Sequence, residues 1–567
     1  STPVERDRQG VVLAGDESHI WDDYLHRNSA YWGLKWDYTN QVNTQHQLKV
    51  GADFQRHTLR RYRHVLPVQV VLIDSTMVND YKELNGNKYP AKIYHSDPTS
   101  FLQDADYYGY YWAPVDSTVL EAGHWQYDST FTDDQLSKVD TTWIGPYYKY
   151  SFDEKKLNSG RQAVKHPITA SAYIEDKFEY QGVVINAGLR YDYLNVDTKA
   201  VKDPERPLGA DNTTLDPQDL VNNKVQNVVS PRIGFGFPIS ERTLFHVNYG
   251  KFFQQPNLED LYVSYDYLAY MIRTNPYFNM FGNPNLKPEK TTAYEVGIDH
   301  QIASKAKLDI VAYYKDVRDL VEVTNIPSIP NAFSTYRNRD YGTIKGVDLG
   351  FTLERTQNIA CNMAYSLSWA MGTGSISNTQ YNIAWTGSEI PKMTAPLAFD
   401  QRHKLSFDFD YRLGDHEGPV ISGKTPFENA GINLLFNVGS GQPYTPTFVY
   451  NELTLAAVSV TPSAPINSKY GPWTYRVDLK VNKGIKFGPA NVNFYVWVLN
   501  VFDRRNAEYS YTSTGSPETC GWLATPEGQK WTADNGQQGY ELFRQAELNP
   551  NNFSVPRMVR FGIKTDF

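Results

Sequence analysis

Very little cysteine is present. Two residues, Cys361 and Cys520, occur in 567, so no disulfide framework holds this chain together. Long apolar runs are also missing. Nothing approaches the ~18 consecutive apolar residues of a membrane-spanning helix, and mean hydropathy is −0.53. Neither sign of charge dominates: 55 basic residues stand against 63 acidic ones, for a net charge of −8. With no Lys/Arg cluster to track phosphates, a nucleic-acid binder is excluded. The 12 histidines are scattered, with no H-x-x-x-H and no cysteine at ligand spacing, so no metal is expected. There is no P-loop, no G-x-S-x-G elbow and no triad, so neither an enzyme nor a bound cofactor is expected. No signal peptide and no Met begin the chain at "STPVERDRQG", which suggests a processed or truncated N-terminus.

Aromatic residues, by contrast, abound: 41 Tyr, 27 Phe and 12 Trp. Soluble domains rarely need so many amphipathic rings. Barrels in membranes do, because they set aromatic girdles at both water–lipid boundaries.

Period-two alternation runs through the sequence. "KLSFDFDYRL" places Leu405, Phe407, Phe409, Tyr411 and Leu413 on one face and Lys404, Ser406, Asp408, Asp410 and Arg412 on the other. The closing "SVPRMVRFGIKTDF" and "TYRVDLKVNKGIKF" alternate in the same way. Fifteen strands are predicted near 29–42, 46–66, 168–181, 183–197, 227–239, 243–255, 291–303, 306–324, 341–357, 359–372, 403–414, 428–442, 474–488, 490–504 and 554–567. Their length meets or exceeds the ~9–11 residues that cross a bilayer at a tilt. The connections alternate between short ("NTQ", "QG", "ISER", "ASKA", "QNIA", "GPAN", with a longer exception near 415–427) and long (about 67–167, 198–226, 256–290, 325–340, 373–402, 443–473 and 505–553). That is the loop asymmetry of an outer-membrane barrel, with short periplasmic turns and long extracellular loops. The fold class expected is an all-β, transmembrane antiparallel β-barrel. By parity, residues 1–28 form an extracellular segment and residues 29–567 the wall. Single-chain barrels have even strand numbers, so fifteen visible strands imply at least one more upstream.

Several motifs carry a family resemblance. "GNPNLKPEKTTAYEVGIDHQI" (282–302) resembles the NP-x-L-KPE…YE-x-G signature of TonB-dependent outer-membrane receptors. "ASAYIEDKFEYQGVVINAGLRYDY" (170–193) is similar to their Y-x-Q-D…GLRYD hairpin, with Glu175 in place of the usual Gln. "VSPRIGFGFPISERTLFHVNYGKFFQQPNLEDLY" (229–262), "NRDYGTIKGVDLGF" (338–351), "DQRHKLSF" (400–407) and "NVFDRRN" (500–506) follow in the matching order. The loops and "DYTNQVNTQHQLKVGADF" are most like the Oar-like branch, whose members carry an N-terminal carboxypeptidase-regulatory-like domain. The resemblance implies a 22-stranded barrel closed by an N-terminal plug, outer-membrane lipid around it, and energy from the TonB–ExbB–ExbD complex through a box ahead of the plug. Fifteen strands would be the eighth to the twenty-second. Neither plug, box nor regulatory domain is recognisable in this sequence. The function implied is uptake of a specific nutrient: a peptide, an oligosaccharide or a metal chelate. A passive porin and an anchor barrel for an extracellular assembly are the alternatives. A plug upstream would favour uptake, and a copurifying protein on the 67–167 loop would favour the anchor.

Candidate site residues lie in the first long loop. Tyr107, Tyr108, Tyr110, Tyr111, Trp112, Trp143, Tyr147, Tyr148 and Tyr150 offer flat surfaces for a ligand or a partner protein; equally, a loop of that length needs a small core of its own. "DADYYG" (104–109) begins like a calcium loop, but Tyr108 and Val115 fill positions that need oxygen ligands. The inward row (Arg190, Asp192, Glu295, Asp299, Lys404, Asp408, Asp410, Arg476, Asp478, Lys480, Arg560 and Lys564) reads first as a hydrated wall of ion pairs and second as a substrate path. Cys361 falls at the short-turn end of its strand and Cys520 in the last long loop. An apolar band of about 25 Å separates those ends, so no bridge between the two is expected.

Overall fold

A computed structural model describes the backbone of residues 5–6, 12–14, 23–65, 82–84, 87–89, 92–93, 110–116, 119–127, 164–210, 212, 215, 217–263, 268, 272, 280–377, 393–453, 461–488 and 490–566, with side chains over 29–59 and 164–565 of these. Fifteen long strands make one antiparallel wall: β1 (Asp23–Gln41), β2 (His46–Val65), β3 (Ile168–Tyr180), β4 (Val183–Asn195), β5 (Gln226–Ser240), β6 (Thr243–Gln254), β7 (Glu289–Ala303), β8 (Ala306–Ile326), β9 (Phe333–Thr356), β10 (Ile359–Gly372), β11 (His403–Arg412), β12 (Ala430–Gly439), β13 (Thr474–Phe487), β14 (Ala490–Leu499) and β15 (Met558–Asp566). Each expected strand is present, and β1 extends back through residues 23–28.

Every long strand pairs with its sequence neighbour, so the wall is an unbroken meander. The order returns from β15 to β1 as in a closed barrel. Among the described residues, residue-by-residue registers run from β1–β2 round to β14–β15. Exposure is higher on β1 and β15 than within the wall. Leu34 is 69% and Phe561 78% exposed, whereas Val296 and Ile310 within the wall are 42% and 40% exposed.

Register fixes the two faces. Met363, Phe407, Phe436 and Val477 stand opposite one another in turn across β10–β13. Val496 then faces Phe561, and Phe494 faces Ile563. This apolar face is left uncovered, with Val229, Ile233, Tyr294 and Val559 all exposed. Tyr249, Tyr294 and Tyr314 lie side by side across β6–β8, at ring separations of 5.2 and 6.3 Å, like a segment of an aromatic girdle. Open apolar surface on this scale is unstable in water and at home in lipid.

The opposite face is polar and follows a simple rule. Opposite charges two residues apart on one strand share a face, and they pair. Examples are Lys35–Asp37 (3.4 Å), Lys177–Glu179 (2.5 Å), Arg190–Asp192 (2.8 Å), Lys307–Asp309 (2.5 Å), Arg412–Asp410 (2.9 Å) and Arg476–Asp478 (2.7 Å). Glycines on this face give room for aromatic rings from the next strand: Tyr173 lies over Gly51, Tyr313 over Gly346 and Tyr495 over Gly562.

The turns sort as expected. At one rim they span 42–45, 181–182, 241–242, 304–305, 357–358 and 488–489, with one longer hairpin, 413–429. The two-residue turn Gln181–Gly182 has positive φ at both positions (48° and 82°), as a tight hairpin requires. At the other rim lie the long connections, with one correction. A long loop was expected over 325–340, but β8 and β9 continue their ladder to the Ile326–Phe333 pair, leaving only residues 327–332 between them. The cause is a bulge after Val317, where Asp319 has φ 61°. Beyond it Val321, Glu322, Val323, Thr324 and Ile326 are all buried, so the alternation that marks a strand disappears from "LVEVTNI".

The two faces give a direct test. Phe407→Arg puts a charge on the apolar face and should destabilise the wall in lipid by about 2–4 kcal/mol if it lies near the bilayer midplane. Ser406→Arg, one residue away on the polar face, should cost less than ~1 kcal/mol. Denaturant titration of the two proteins folded in liposomes distinguishes these outcomes; equal costs would mean the faces are misassigned.

Candidate functional site

The polar face carries the first candidate surface. Across β2–β7 a recess of about 510 Å³ is lined by Lys49, Tyr173, Arg190, Arg232, Phe252 and Glu295, among others. The register makes this cluster, since Tyr173 lies opposite Gly51 and Asn248 opposite Glu295. Tyr173 donates to Asp37 (2.5 Å), Lys49 sits 5.7 Å from the Tyr173 ring, and Arg232 lies 4.5 Å from the Phe252 ring. Across β13–β15, Lys480 lies 4.8 Å from the Tyr495 ring and Arg560 5.7 Å from Trp497. Cations thus lie against aromatic rings at several points of this face. The predicted inward residues share this face: Arg190 pairs with Asp192 and Arg476 with Asp478, and several others are held by neighbouring polar side chains. Asn433 donates to Asp408 (2.7 Å), Arg355 and Arg412 both reach Asp410, and His246 sits 3.8 Å from both Glu295 and Asp299.

Above the wall, at the long-loop rim, a cap is built from three separate loops. Leu208, Leu268, Ile272, Phe281, Ile326 and Phe333 form one buried cluster. Leu194, Val196, Leu261, Leu286 and Val321 form a second. "NPNLKPE" is the staple between them. Asn283 donates to the Tyr336 carbonyl (2.9 Å) and accepts from Asn285 N–H (2.9 Å). Asn338 accepts from Lys287 N–H (2.8 Å) and donates to the carbonyls of Lys287 (2.9 Å) and Asp319 (2.7 Å). Asp260, nearly buried, is pushed above the usual carboxylate range by desolvation, which the Asn257 side chain partly offsets. Burial likewise raises the Tyr262 hydroxyl, which donates to the Val196 carbonyl (3.0 Å).

The last long loop forms a module of its own around helix α1 (Pro526–Glu547), whose N-cap Thr525 accepts from Gly528 N–H. Tyr511, Cys520 and Phe543 are its buried centre, with Trp522 and Trp531 stacked alongside. Glu547 is wholly buried. One oxygen accepts from Thr519 Oγ1 (2.9 Å), Cys520 N–H (2.9 Å) and Cys520 Sγ (3.0 Å), and the other meets Arg544. Burial, reinforced by the bond to Glu547, raises the Cys520 thiol to about 11. Both cysteines are free and buried, as expected of a pair at opposite rims.

Of the aromatic residues proposed from sequence, Tyr107, Tyr108, Trp143, Tyr147, Tyr148 and Tyr150 lie outside the described residues. Tyr110, Tyr111 and Trp112 fall on a strand, Tyr110–Asp116, paired with Val119–Tyr127; Trp112 stands opposite Trp125. Asn283 and Asn338 fall in motifs that the sequence marked, but their role as bracing residues, and that of Glu547, carries no local signal because their partners lie up to 53 residues away in sequence. Among the described residues Asp415, His416 and Glu428 bring ligand atoms within 4.8 Å of one another. Lys486 already sits 2.6 Å from Asp415, and Thr425 donates to Glu428 (2.8 Å), so the group satisfies its own charge.

A family profile described as "TonB dependent receptor-like, beta-barrel" matches residues 5–501. A curated relative, the vitamin B12 transporter BtuB of Vibrio vulnificus, is 29% identical over 117 residues, 21% of this chain and 16% of the relative. The FrpB iron transporter from Neisseria meningitidis is similar over 85% of this chain and 52% of its own, at 13% identity and TM-score 0.45. The siderophore receptor PirA from Acinetobacter baumannii is similar over 88% and 53%, at 13% identity and TM-score 0.44. The chain thus spans about half the length of these solved structures.

The Glu547 cluster predicts a chemical phenotype. In the wild type, Cys520 should resist a maleimide at pH 8, because it is buried and a thiol with a pKa near 11 holds almost no thiolate there. Glu547→Gln removes the charge that gathers four donors, at a cost of about 1.5–3 kcal/mol. Cys520 should then label at least about tenfold faster, as that cost translates to local opening. Unchanged labelling kinetics would show that Glu547 does not hold the module shut.

Proposed function

The chain belongs to the TonB-dependent receptor-like β-barrel family, whose members are outer-membrane receptors and transporters, and from that premise we propose that the protein bearing this wall takes up one nutrient actively. The nutrient is a peptide, an oligosaccharide or a metal chelate. Energy reaches it from TonB–ExbB–ExbD, through a segment outside the wall described here. Finer placement in the Oar-like branch, with its regulatory domain, belongs to the same proposal.

The observation that carries this reading is the prebuilt cap. Among the described residues, loops around 194–208, 258–263, 280–286 and 321–336, with Leu268 and Ile272, share buried clusters and the "NPNLKPE" staple, so this part of the outer rim is organised before any ligand arrives. A passive pore gains nothing from ordering its rim. A receptor does, because a preorganised surface loses less entropy on binding. Within this proposal Tyr107, Tyr108, Tyr110, Tyr111, Trp112, Trp143, Tyr147, Tyr148 and Tyr150 provide stacking surfaces for the ligand, and the polar wall beneath provides a hydrated path.

The test is uptake in cells carrying the full-length gene or its deletion. Radiolabelled ferric citrate, cobalamin, a maltooligosaccharide and a tripeptide are the probes. Deletion should lower the initial rate for one of them more than about tenfold, and a protonophore should do the same in the undeleted strain. Uptake indifferent to the protonophore would point to a passive pore and overturn the proposal. For the probe that responds, Trp112→Ala and Trp143→Ala should each weaken binding by about tenfold, the loss expected when an aromatic anchor is truncated.

A further inference from the structure

The hairpin 413–429 departs from everything else on its rim. The other turns there span two to four residues, whereas this one spans seventeen. Its base is tightly held. Leu413 N–H donates to the Ala430 carbonyl (2.8 Å) and Asn429 N–H to the Gly414 carbonyl (3.0 Å). Glu417 accepts from Gly414 N–H (2.6 Å) and from Asn358 (2.5 Å), and Lys486 pairs with Asp415 (2.6 Å). These contacts hold Glu417 and Asp415 below the usual carboxylate range: Glu417 chiefly through the Gly414 N–H, Asp415 chiefly through Lys486. The tip is also closed, by reciprocal bonds between Ile421 and Lys424 (2.8 and 3.0 Å).

Such an ordered tip would suit a polar sequence. It carries "GPVISGK" instead, with Val420 68% and Ile421 53% exposed. Phe427, on the returning arm, is 49% exposed. These residues are not an isolated patch. Phe409, Tyr411 and Leu413 follow one another along the apolar face of β11 and its extension, and Leu413 and Phe427 both approach Gly418. Ile359 faces Tyr411 across β10–β11, and Ile432 faces it across β11–β12. Ile359 and Ile432 are exposed too. The apolar face of the wall therefore runs past its last ladder bond and down the hairpin.

We propose that this hairpin is a foot that seats Val420, Ile421 and Phe427 in the headgroup–acyl boundary of the phospholipid leaflet on the short-turn side. Continuity with the apolar wall selects lipid as the occupant, since the surface that leads to the tip already faces acyl chains. Exposed Lys424 beside the tip suits a phosphate-rich boundary. The inference rests on the membrane reading of the wall.

Fluorescence quenching tests it. The native cysteines are buried, so bimane placed at Val420→Cys or Ile421→Cys in the full-length protein is the reporting label. The protein is folded in phosphatidylethanolamine–phosphatidylglycerol liposomes carrying a spin-labelled lipid or, separately, in iodide solution. Phe561→Cys on the wall is the lipid control and exposed Gln537→Cys on α1 the water control. Labels at 420 and 421 should be quenched by the spin-labelled lipid at least half as strongly as at 561, and by iodide several-fold less than at 537. Iodide quenching equal to that at 537 would overturn the foot, as would protection from both quenchers, which would indicate a protein partner or a second copy. If 561 also failed to respond to lipid, the wall assignment itself would fall. Hydrogen exchange of residues 417–425 in the unmodified protein gives a second measure. Slower exchange in liposomes than in amphipol supports the foot, and equal exchange overturns it.

Discussion

Every backbone N–H and C=O in the wall must find a partner within the protein, because lipid offers none. The rest of the structure depends on that constraint. It demands long ladders between sequence neighbours, and the register supplies them without interruption from β1 to β15. Once the ladder is fixed, side chains have only two directions to take. A one-residue slip in any strand would turn a whole row of Phe, Leu and Val toward the polar side. At β1 and β15 exposure rises, with Leu34 69% and Phe561 78% exposed.

Within this frame the polar face solves a packing problem locally. Six pairs of opposite charge sit two residues apart on one strand, so each charge meets its partner without help from a neighbouring strand. A pair of this kind whose two ends are both open to water, such as Lys177–Glu179, adds ~1 kcal/mol or less to stability. Its effect is to keep the wall neutral over short distances. The glycines set opposite Tyr173, Tyr313 and Tyr495 do related work, letting rings lie flat where a Cβ would collide. Flat rings leave the lumen side smooth.

The wall was legible in the sequence because a strand's signal is local. Alternation at Leu405–Leu413 or Phe553–Phe567 needs no knowledge of what lies opposite, and the sorting of turns into short and long follows from counting. The cap was not legible, for the converse reason. Burial stops alternating at Val321, Glu322, Val323, Thr324 and Ile326 past the bulge at Asp319, so the expected strand ended at 324 and its continuation to Ile326, with the returning start of β9 from Phe333, read as loop. Asn338 and Glu547 are ordinary polar residues until the carbonyls and thiol they hold come from elsewhere in the chain. "NPNLKPE" was recognised as a family mark, but its role as a staple between two clusters is visible only in three dimensions. The aromatic loop residues chosen as ligand contacts, from Tyr107 to Tyr150, rest on composition alone.

The two rims divide the labour in a way the wall imposes. At the short-turn rim, tight turns of two to four residues hold the strands in register and have nothing to spare for recognition. Variation there costs register, so the one large departure, 413–429, has to be anchored at its base by Asp415, Glu417 and Asn429 before its tip is free to differ. At the long-loop rim the strands tolerate excursions, and chain accumulates until it can bury cores of its own, as at Phe281–Phe333 and Trp522–Phe543. Folded surface collects where the ladder permits length, so the buried clusters stand at the outer rim with the charged wall beneath them.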